Sequence, residues 1–205
     1  MNAGALEKIE YGMFVLSANE ADRDNACIIN VVAQVTDEPK QIAFTVNKQN
    51  LTHNMVDATG RFVISILSDE ANLELIKHFG FQSGRDVNKF ETYANAARAN
   101  NGIYYITEST NAYIAGEILA KVDLGTHTLF VAKVVEEKVL SEAKSLTYEY
   151  YHENIKPKNS SDVKHGWVCK ICGYVYEGDD IPADFICPWC KHGVADFEKD
   201  RNQIV

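Results

Sequence analysis

Cys169-x-x-Cys172 is followed, after fourteen residues, by Cys187-x-x-Cys190. A Cys-x-x-Cys hairpin lets two thiolates meet one ion from a single tight turn, and two such hairpins facing each other complete a tetrahedron of sulfur. All-sulfur tetrahedra hold zinc or iron. On spacing alone two readings stand: a zinc ribbon that only folds a short module, or an iron centre that carries one electron at a time. The chain has five cysteines, and four of them crowd into this segment. In a reducing compartment such grouping points to a metal before it points to disulfides. The fifth, Cys27, reads as a small buried hydrophobe, since nothing near it in sequence would activate a thiol.

The residues around the four cysteines narrow the choice of metal. The segment runs Trp167-Val168-Cys169-Lys170-Ile171-Cys172-Gly173-Tyr174-Val175-Tyr176, then Asp184-Phe185-Ile186-Cys187-Pro188-Trp189-Cys190, then Ala195-Asp196-Phe197-Glu198. Over about residues 166–200 it resembles rubredoxin, in its Cys-x-x-Cys-Gly-Tyr start, its Cys-Pro-x-Cys second hairpin and its Asp-x-Phe-Glu end. Bulky Trp167, Tyr174, Phe185, Trp189 and Phe197 would wrap the sulfurs in an apolar shell that tunes a redox potential. The resemblance therefore implies iron, ligated by Cys169, Cys172, Cys187 and Cys190. The loop between hairpins is shorter than in stand-alone rubredoxins and closer to the tail of rubrerythrins. Lys191 stands where many rubredoxins have Gly.

Earlier in the chain the polar groups lie in five blocks, at Asn25–Gln34, Thr45–His53, Phe79–Asp86, Gly125–Phe130 and Leu146–His152. Lys48, Asn50 and Thr52 crowd the start of a predicted helix, whose free N–H groups and positive dipole end suit a phosphate. The plainer reading of the same residues is a capped helix with Asn50 as N-cap and a solvated Lys48. No Gly-x-Gly-x-x-Gly, Walker A or Gly-x-Ser-x-Gly pattern occurs, so a Rossmann-type dinucleotide site is not expected.

As an ordered set, from about Tyr11 to Lys158, the five blocks resemble the flavin reductase-like family with its FMN-binding split barrel. The resemblance implies that Asn25, Ala26, Cys27, Asn30, Val31, Val32 and Gln34 contact the flavin ring. It implies a phosphate site at Thr45, Val46, Asn47, Lys48, Asn50, Thr52 and His53; read without it, His53 fits a solvated helix face equally well. Phe81, Ser83, Gly84 and Arg85 would close over the cofactor, and Arg85 could instead pair with Asp86. His127 would lie beside the ring where nicotinamide stacks, as the catalytic residue. Its block reads Gly125-Thr126-His127, without the Asp that the family carries before the His. His78, His165 and His192 read as surface residues, and Tyr148, Tyr150 and Tyr151 as barrel or dimer packing.

These groups need a scaffold, and the strand signal dominates the first 155 residues. Tyr11–Ala18, Ala26–Val35, Gln41–Val46, Arg61–Leu67, Ala112–Val122 and His127–Val139 are rich in Val, Ile, Phe and Tyr. Asn50 to Gly60 and Ala71 to Gly80 read as helices that end at glycine. Residues 82–102 are polar and aperiodic and read as a loop or lid. Many strands with few crossover helices predict a mainly β fold, an antiparallel barrel with short helices. The stretch Lys156-Pro157-Lys158-Asn159-Ser160-Ser161-Asp162 is turn-rich. The division is therefore 1–155 for the barrel, 156–165 for a linker and 166–205 for the cysteine module.

With 20 Lys and Arg against 29 Asp and Glu, the formal charge is −9. That balance disfavours nucleic acid and anionic membranes as partners. No apolar run is long enough to span a bilayer, and the first residues lack the basic region of a secretory signal, so a cytoplasmic location is expected. As a fusion the chain resembles the high-molecular-weight rubredoxins. That implies reduced nicotinamide, NADH or NADPH, as donor to FMN, single electrons passing to iron, and a flavodiiron protein as acceptor. The family's barrels also imply a homodimer. A flavoredoxin-like carrier, a free-flavin reductase and a flavin protein with a structural zinc ribbon remain open.

Overall fold

The computed structural model describes residues 5–156, 166–170, 174–187 and 192–199. Its first part is built on one antiparallel sheet of seven strands. In chain order these are β1 (Phe14–Glu20), β2 (Arg23–Ile29), β3 (Val32–Thr36), β4 (Gln41–Asn47), β5 (Arg61–Leu67), β8 (Thr110–Asp123) and β9 (His127–Val139), arranged β2-β1-β5-β8-β9-β4-β3. A short hairpin of β6 (Ala96–Arg98) and β7 (Tyr104–Ile106) stands apart from it.

The sheet order explains why the single strand expected over Ala26–Val35 is two. β2 and β3 are the two edges of the sheet, yet Ile29 and Val32 are three residue steps apart. In a flat sheet those edges would be about 29 Å apart, six spacings of about 4.8 Å. Three residue steps reach at most about 10 Å. The sheet must therefore curl until its edges adjoin, which makes a barrel with a break where the chain steps from one edge to the other. The local sign of that break is Asn30, a residue depleted in strands, but one Asn between Ile28-Ile29 and Val31-Val32 does not end a strand by itself.

Inside the barrel, Leu16, Phe44, Phe62, Ile64 and Phe130 are wholly buried. Phe44 packs at 4.7 Å from Phe62 and 5.5 Å from Phe130, centroid to centroid. Helix α1 (Leu51–Thr59) lies against this cluster through Met55 and Val56, and ends at Gly60, whose φ of 67° favours glycine. Helix α2 (Leu73–Gly80) starts two residues later than expected, because Asn72 caps it by accepting the Leu75 N–H at 3.0 Å. The expected loop over 82–102 is broken by β6 and contains the buried Lys89 and Ala99.

The C-terminal module is a three-stranded antiparallel sheet of β10 (Gly166–Cys169), β11 (Val175–Glu177) and β12 (Phe197–Lys199), in the order β11-β10-β12. Phe185 packs edge-on against Tyr176 and Phe197, at 4.6 and 5.6 Å. No helix among the described residues is long and apolar enough to cross a membrane.

Candidate cofactor pocket and cysteine centre

A cavity of about 550 Å³ opens where β2, the start of α1 and the loop after α2 converge. It gathers seven of the residues expected to bind cofactor: Asn25, Cys27, Asn50, Thr52, Ser83, Gly84 and Arg85. Gln49, Leu51, Gly80, Gln82, Asp86 and Lys89 complete its barrel side; the first five stand in the polar blocks without being named as cofactor contacts, and Lys89 lies outside them.

The floor is polar and incompletely satisfied. Asn25 is 2% exposed, and its Nδ2 donates to Thr52 Oγ1 at 2.8 Å. Its Oδ1 is buried and accepts no hydrogen bond from the protein. Gly84 lies against that oxygen so closely that a Cβ there would come within 2.2 Å of it. Lys89 is only 3% exposed, with Nζ donating to the carbonyls of Phe79 and Ala26 at 2.7 and 2.8 Å. Burial pulls its pKa down to about 8. Both partners are neutral carbonyls, so the ammonium charge has no carboxylate bonded to it. Burial pushes the Cys27 thiol up, against the smaller opposing effects of the Thr52 hydrogen bond and the Lys89 charge. Cys27 is thus a protonated wall of the cavity, in line with its reading as a buried hydrophobe.

The walls are the helix start and the loop. Asn50 was expected to cap α1 with its side chain, but makes no such bond, and that side chain lines the cavity beside the first turn. The uncapped N–H groups of that turn, with the dipole behind them, are suited to an anion. Arg23 Nη2 donates to the Gly84 carbonyl, and Arg85 Nη1 donates to the Gln49 carbonyl at 2.6 Å. Two arginines therefore latch the Ser83–Arg85 segment over the cavity, and Arg85 is bonded to the Gln49 carbonyl where pairing with Asp86 was the alternative.

The remaining expected residues fall outside this cavity. Asn47 is paired in register with His127, and the Lys48 N–H donates to the Thr126 carbonyl at 3.0 Å. Lys48 is not simply solvated: its Nζ pairs with Asp123, which holds that carboxyl below the usual carboxylate range together with the Gly125 N–H. The His127 Nδ1 lies 2.9 Å from Thr126 Oγ1, so a hydroxyl meets the imidazole from the position where the family carries Asp. His53 is neither solvated nor in the cavity. It is 8% exposed, with Nε2 2.8 Å from Thr128 Oγ1 and its ring against Phe130. Thr45 and Val46 are in β4, Val32 and Gln34 in β3, Asn30 and Val31 at the step between sheet edges, and Ala26 and Phe81 beneath the cavity. His78, expected at the surface, is half-buried, with Nε2 2.6 Å from the Lys89 carbonyl and its ring stacked on Tyr93. Tyr151 packs inside, whereas Tyr148 and Tyr150 are exposed.

In the small module Cys169 and Cys187 are buried, at 1% and 0% exposure. Their hairpins are alike: the Cys169 N–H donates to the Tyr174 carbonyl and the Cys187 N–H to the His192 carbonyl, both at 2.8 Å and both five residues on. Cys172, Cys190 and His165 lie outside the described residues. Accordingly no group of three metal-ligating side chains is found among the described ones. His192, read as a surface residue, lines the cavity with Gly193, Ala195 and Asp196.

Comparison with known proteins matches this division of chemistry. Residues 6–158 match the flavin reductase like domain, and residues 167–198 match the rubrerythrin, rubredoxin-like domain. The chain is 35% identical to the high molecular weight rubredoxin of Moorella thermoacetica, over 97% of this chain and all of that one. It is 37% identical to a ferric-chelate reductase (NAD(P)H) of Archaeoglobus fulgidus, over 74% of this chain and 89% of that one. The NADH:FAD oxidoreductase of Streptomyces globisporus shares the fold at a TM-score of 0.63 and 18% identity, over 69% of this chain and 83% of that one.

Proposed function

Since the chain belongs to the flavin reductase-like family and carries a rubredoxin-like domain behind it, we propose that this oxidoreductase moves electrons from NAD(P)H through FMN to an Fe(Cys)4 centre. The flavin reductase-like domain implies flavin, and the rubredoxin-like domain implies iron. Bound FMN would take a hydride as two electrons and release them singly, which suits a centre that holds one at a time.

The observation that carries this reading is the unsatisfied floor of the cavity. Asn25 and a buried ammonium, Lys89, line a space of flavin size beside an uncapped helix start. One FMN molecule offers ring carbonyls that suit the ammonium and a phosphate that suits the helix start. Asn25, Thr52 and Lys89 would hold the ring, Asn50 with the first turn of α1 the phosphate, and the latched Ser83–Arg85 segment would exclude water. Cys169, Cys172, Cys187 and Cys190 would hold the iron, inside the apolar shell of Phe185, Tyr176 and Phe197.

The finer parts of the reading rest on the family and on one surface. Ala33, Ala43, Val131 and Ala120 align across β3, β4, β9 and β8, next to exposed Val35, Leu119, Val122, Leu124 and Val135. A second copy covering this apolar face would make the homodimer, and would bring the His127 and Lys48 group of one chain into the shared site. The units are 1–155 and 166–205, joined by 156–165, in a cytoplasmic protein. The acceptor beyond iron is a redox protein, for which we take a flavodiiron protein that reduces nitric oxide or dioxygen.

Composition of the purified protein tests the reading first. One FMN and one iron per chain, with the red colour of oxidised iron–thiolate, are the expected result. Zinc in place of iron would make the tail a structural ribbon, and FMN lost on gel filtration would make flavin a substrate.

A further inference from the structure

The cavity is not bounded by the barrel alone. His192, Gly193, Ala195 and Asp196, from the turn before β12, form part of its lining. That turn is tied to both cysteine hairpins by hydrogen bonds. The His192 carbonyl accepts the Cys187 N–H at 2.8 Å, and the Asp196 carbonyl accepts the N–H of Lys170, the residue after Cys169, at 2.8 Å. Lys170 Nζ adds a bond to the Ala195 carbonyl at 3.1 Å. A second observation agrees: the apolar cluster that contains Phe81 and Phe79, whose carbonyl holds the cavity-lining Lys89, also contains Cys169, Cys187 and Phe197.

We infer that the His192–Asp196 turn is a wall of the cofactor site, touching the cavity's occupant and serving as the seat through which the cysteine centre docks on its own barrel. This deepens the proposed function and rests on it, since it takes FMN as the occupant. From the cavity to Cys187 the route is then one backbone residue and one hydrogen bond. An occupant in contact with the turn is in reach of the cysteine centre without any movement of the module. The turn's rigidity has a stated source, because both hairpins brace it and Gly193 makes an isolated bridge to Ile186.

Gly193 makes the inference testable without disturbing the module. Its φ is −83°, and a Cβ added there meets nothing within 4 Å, so a large side chain can be accommodated locally. FMN binding to the full-length apo-flavin chain is measured by quenching of flavin fluorescence, for wild type, Gly193→Trp and Glu177→Trp. The last is exposed on β11 and does not line the cavity. The iron–thiolate absorption of each variant reports an intact module. Gly193→Trp should weaken FMN binding by roughly tenfold, and Glu177→Trp should not change it. Hydrogen exchange gives an independent reading: FMN should slow exchange in the peptide over 192–196 as well as in 82–86. Affinity of Gly193→Trp equal to wild type, or protection confined to the barrel, overturns the inference and leaves the proposed function standing. A wild-type chain that binds no FMN overturns both.

Discussion

Lys89 is a buried charge in the site bonded only to carbonyls, and its position can be read as a pH effect. Its ordinary pKa of 10.5 falls to about 8 because burial disfavours the ammonium. Between pH 8 and 10.5 the unfolded chain keeps a proton that the folded chain has released, so this residue adds stability as pH rises through that window. Below pH 8 both states carry the charge, and the folded state bears a cost of about 3 kcal/mol. Cys27 acts in the opposite direction, since its thiol is raised and loses no proton where the unfolded thiol does. The useful quantity is therefore the difference between wild type and Lys89→Met in denaturant titrations at about pH 7 and about pH 10. Lys89→Met should be the more stable relative to wild type at the lower pH, with the gap closing as pH rises. A gap independent of pH would mean that the carbonyl bonds, and not the charge, set the energetics. Asn25, Cys27 and Thr52 were legible because they stand in polar blocks at strand and helix ends. Lys89 was not, because a lysine in an aperiodic segment reads as solvated, and only the fold brings Phe79 and Ala26 to it.

Among the elements, strands with strong β-branched runs were placed well: Arg61–Leu67 and His127–Val139 have the observed bounds. The helix ends at Gly60 and Gly80 were also legible, since glycine after an apolar stripe is a stop. The β2–β3 break was hidden, because it is dictated by barrel closure and not by a local turn residue. The same limit hid the split of the expected site, in which the cavity residues and the Asn47, Lys48 and His127 group occupy different parts of one chain. The element that turns the cavity into a site is the segment after α2. Gly84 has no room for a side chain above Asn25. Gly84→Ala should push this segment off its two arginine latches and weaken FMN binding by about tenfold. Because Gly84 is buried against Asn25, the same clash should lower global stability by about 1–3 kcal/mol. Fluorescence titration and thermal unfolding of the same preparation check both parts. Unchanged FMN affinity would mean that the segment does not touch the cofactor.

For the whole molecule, the two Cys-x-x-Cys hairpins and their aromatic neighbours made the small module legible as an iron site, because metal chemistry demands close spacing in sequence. The flavin site, assembled from distant segments, was legible only as an ordered resemblance. The linker expected for 156–165 lies, after Lys156, outside the described residues. His192, Gly193, Ala195 and Asp196 line the cavity, which is the basis for docking the centre on its own barrel. Joining the two sites in one chain replaces a bimolecular encounter by an intramolecular one, with an effective concentration in the millimolar range or above. The central claim is that flavin and iron are sequential stations for the same electrons. Anaerobic stopped-flow mixing of the as-purified protein with NADH, following flavin and iron–thiolate absorption together, tests it most directly. The flavin band should bleach first and the iron band should follow, at a rate independent of protein concentration. Flavin that bleaches while the iron stays oxidised, or an iron rate that rises with protein concentration, would contradict it.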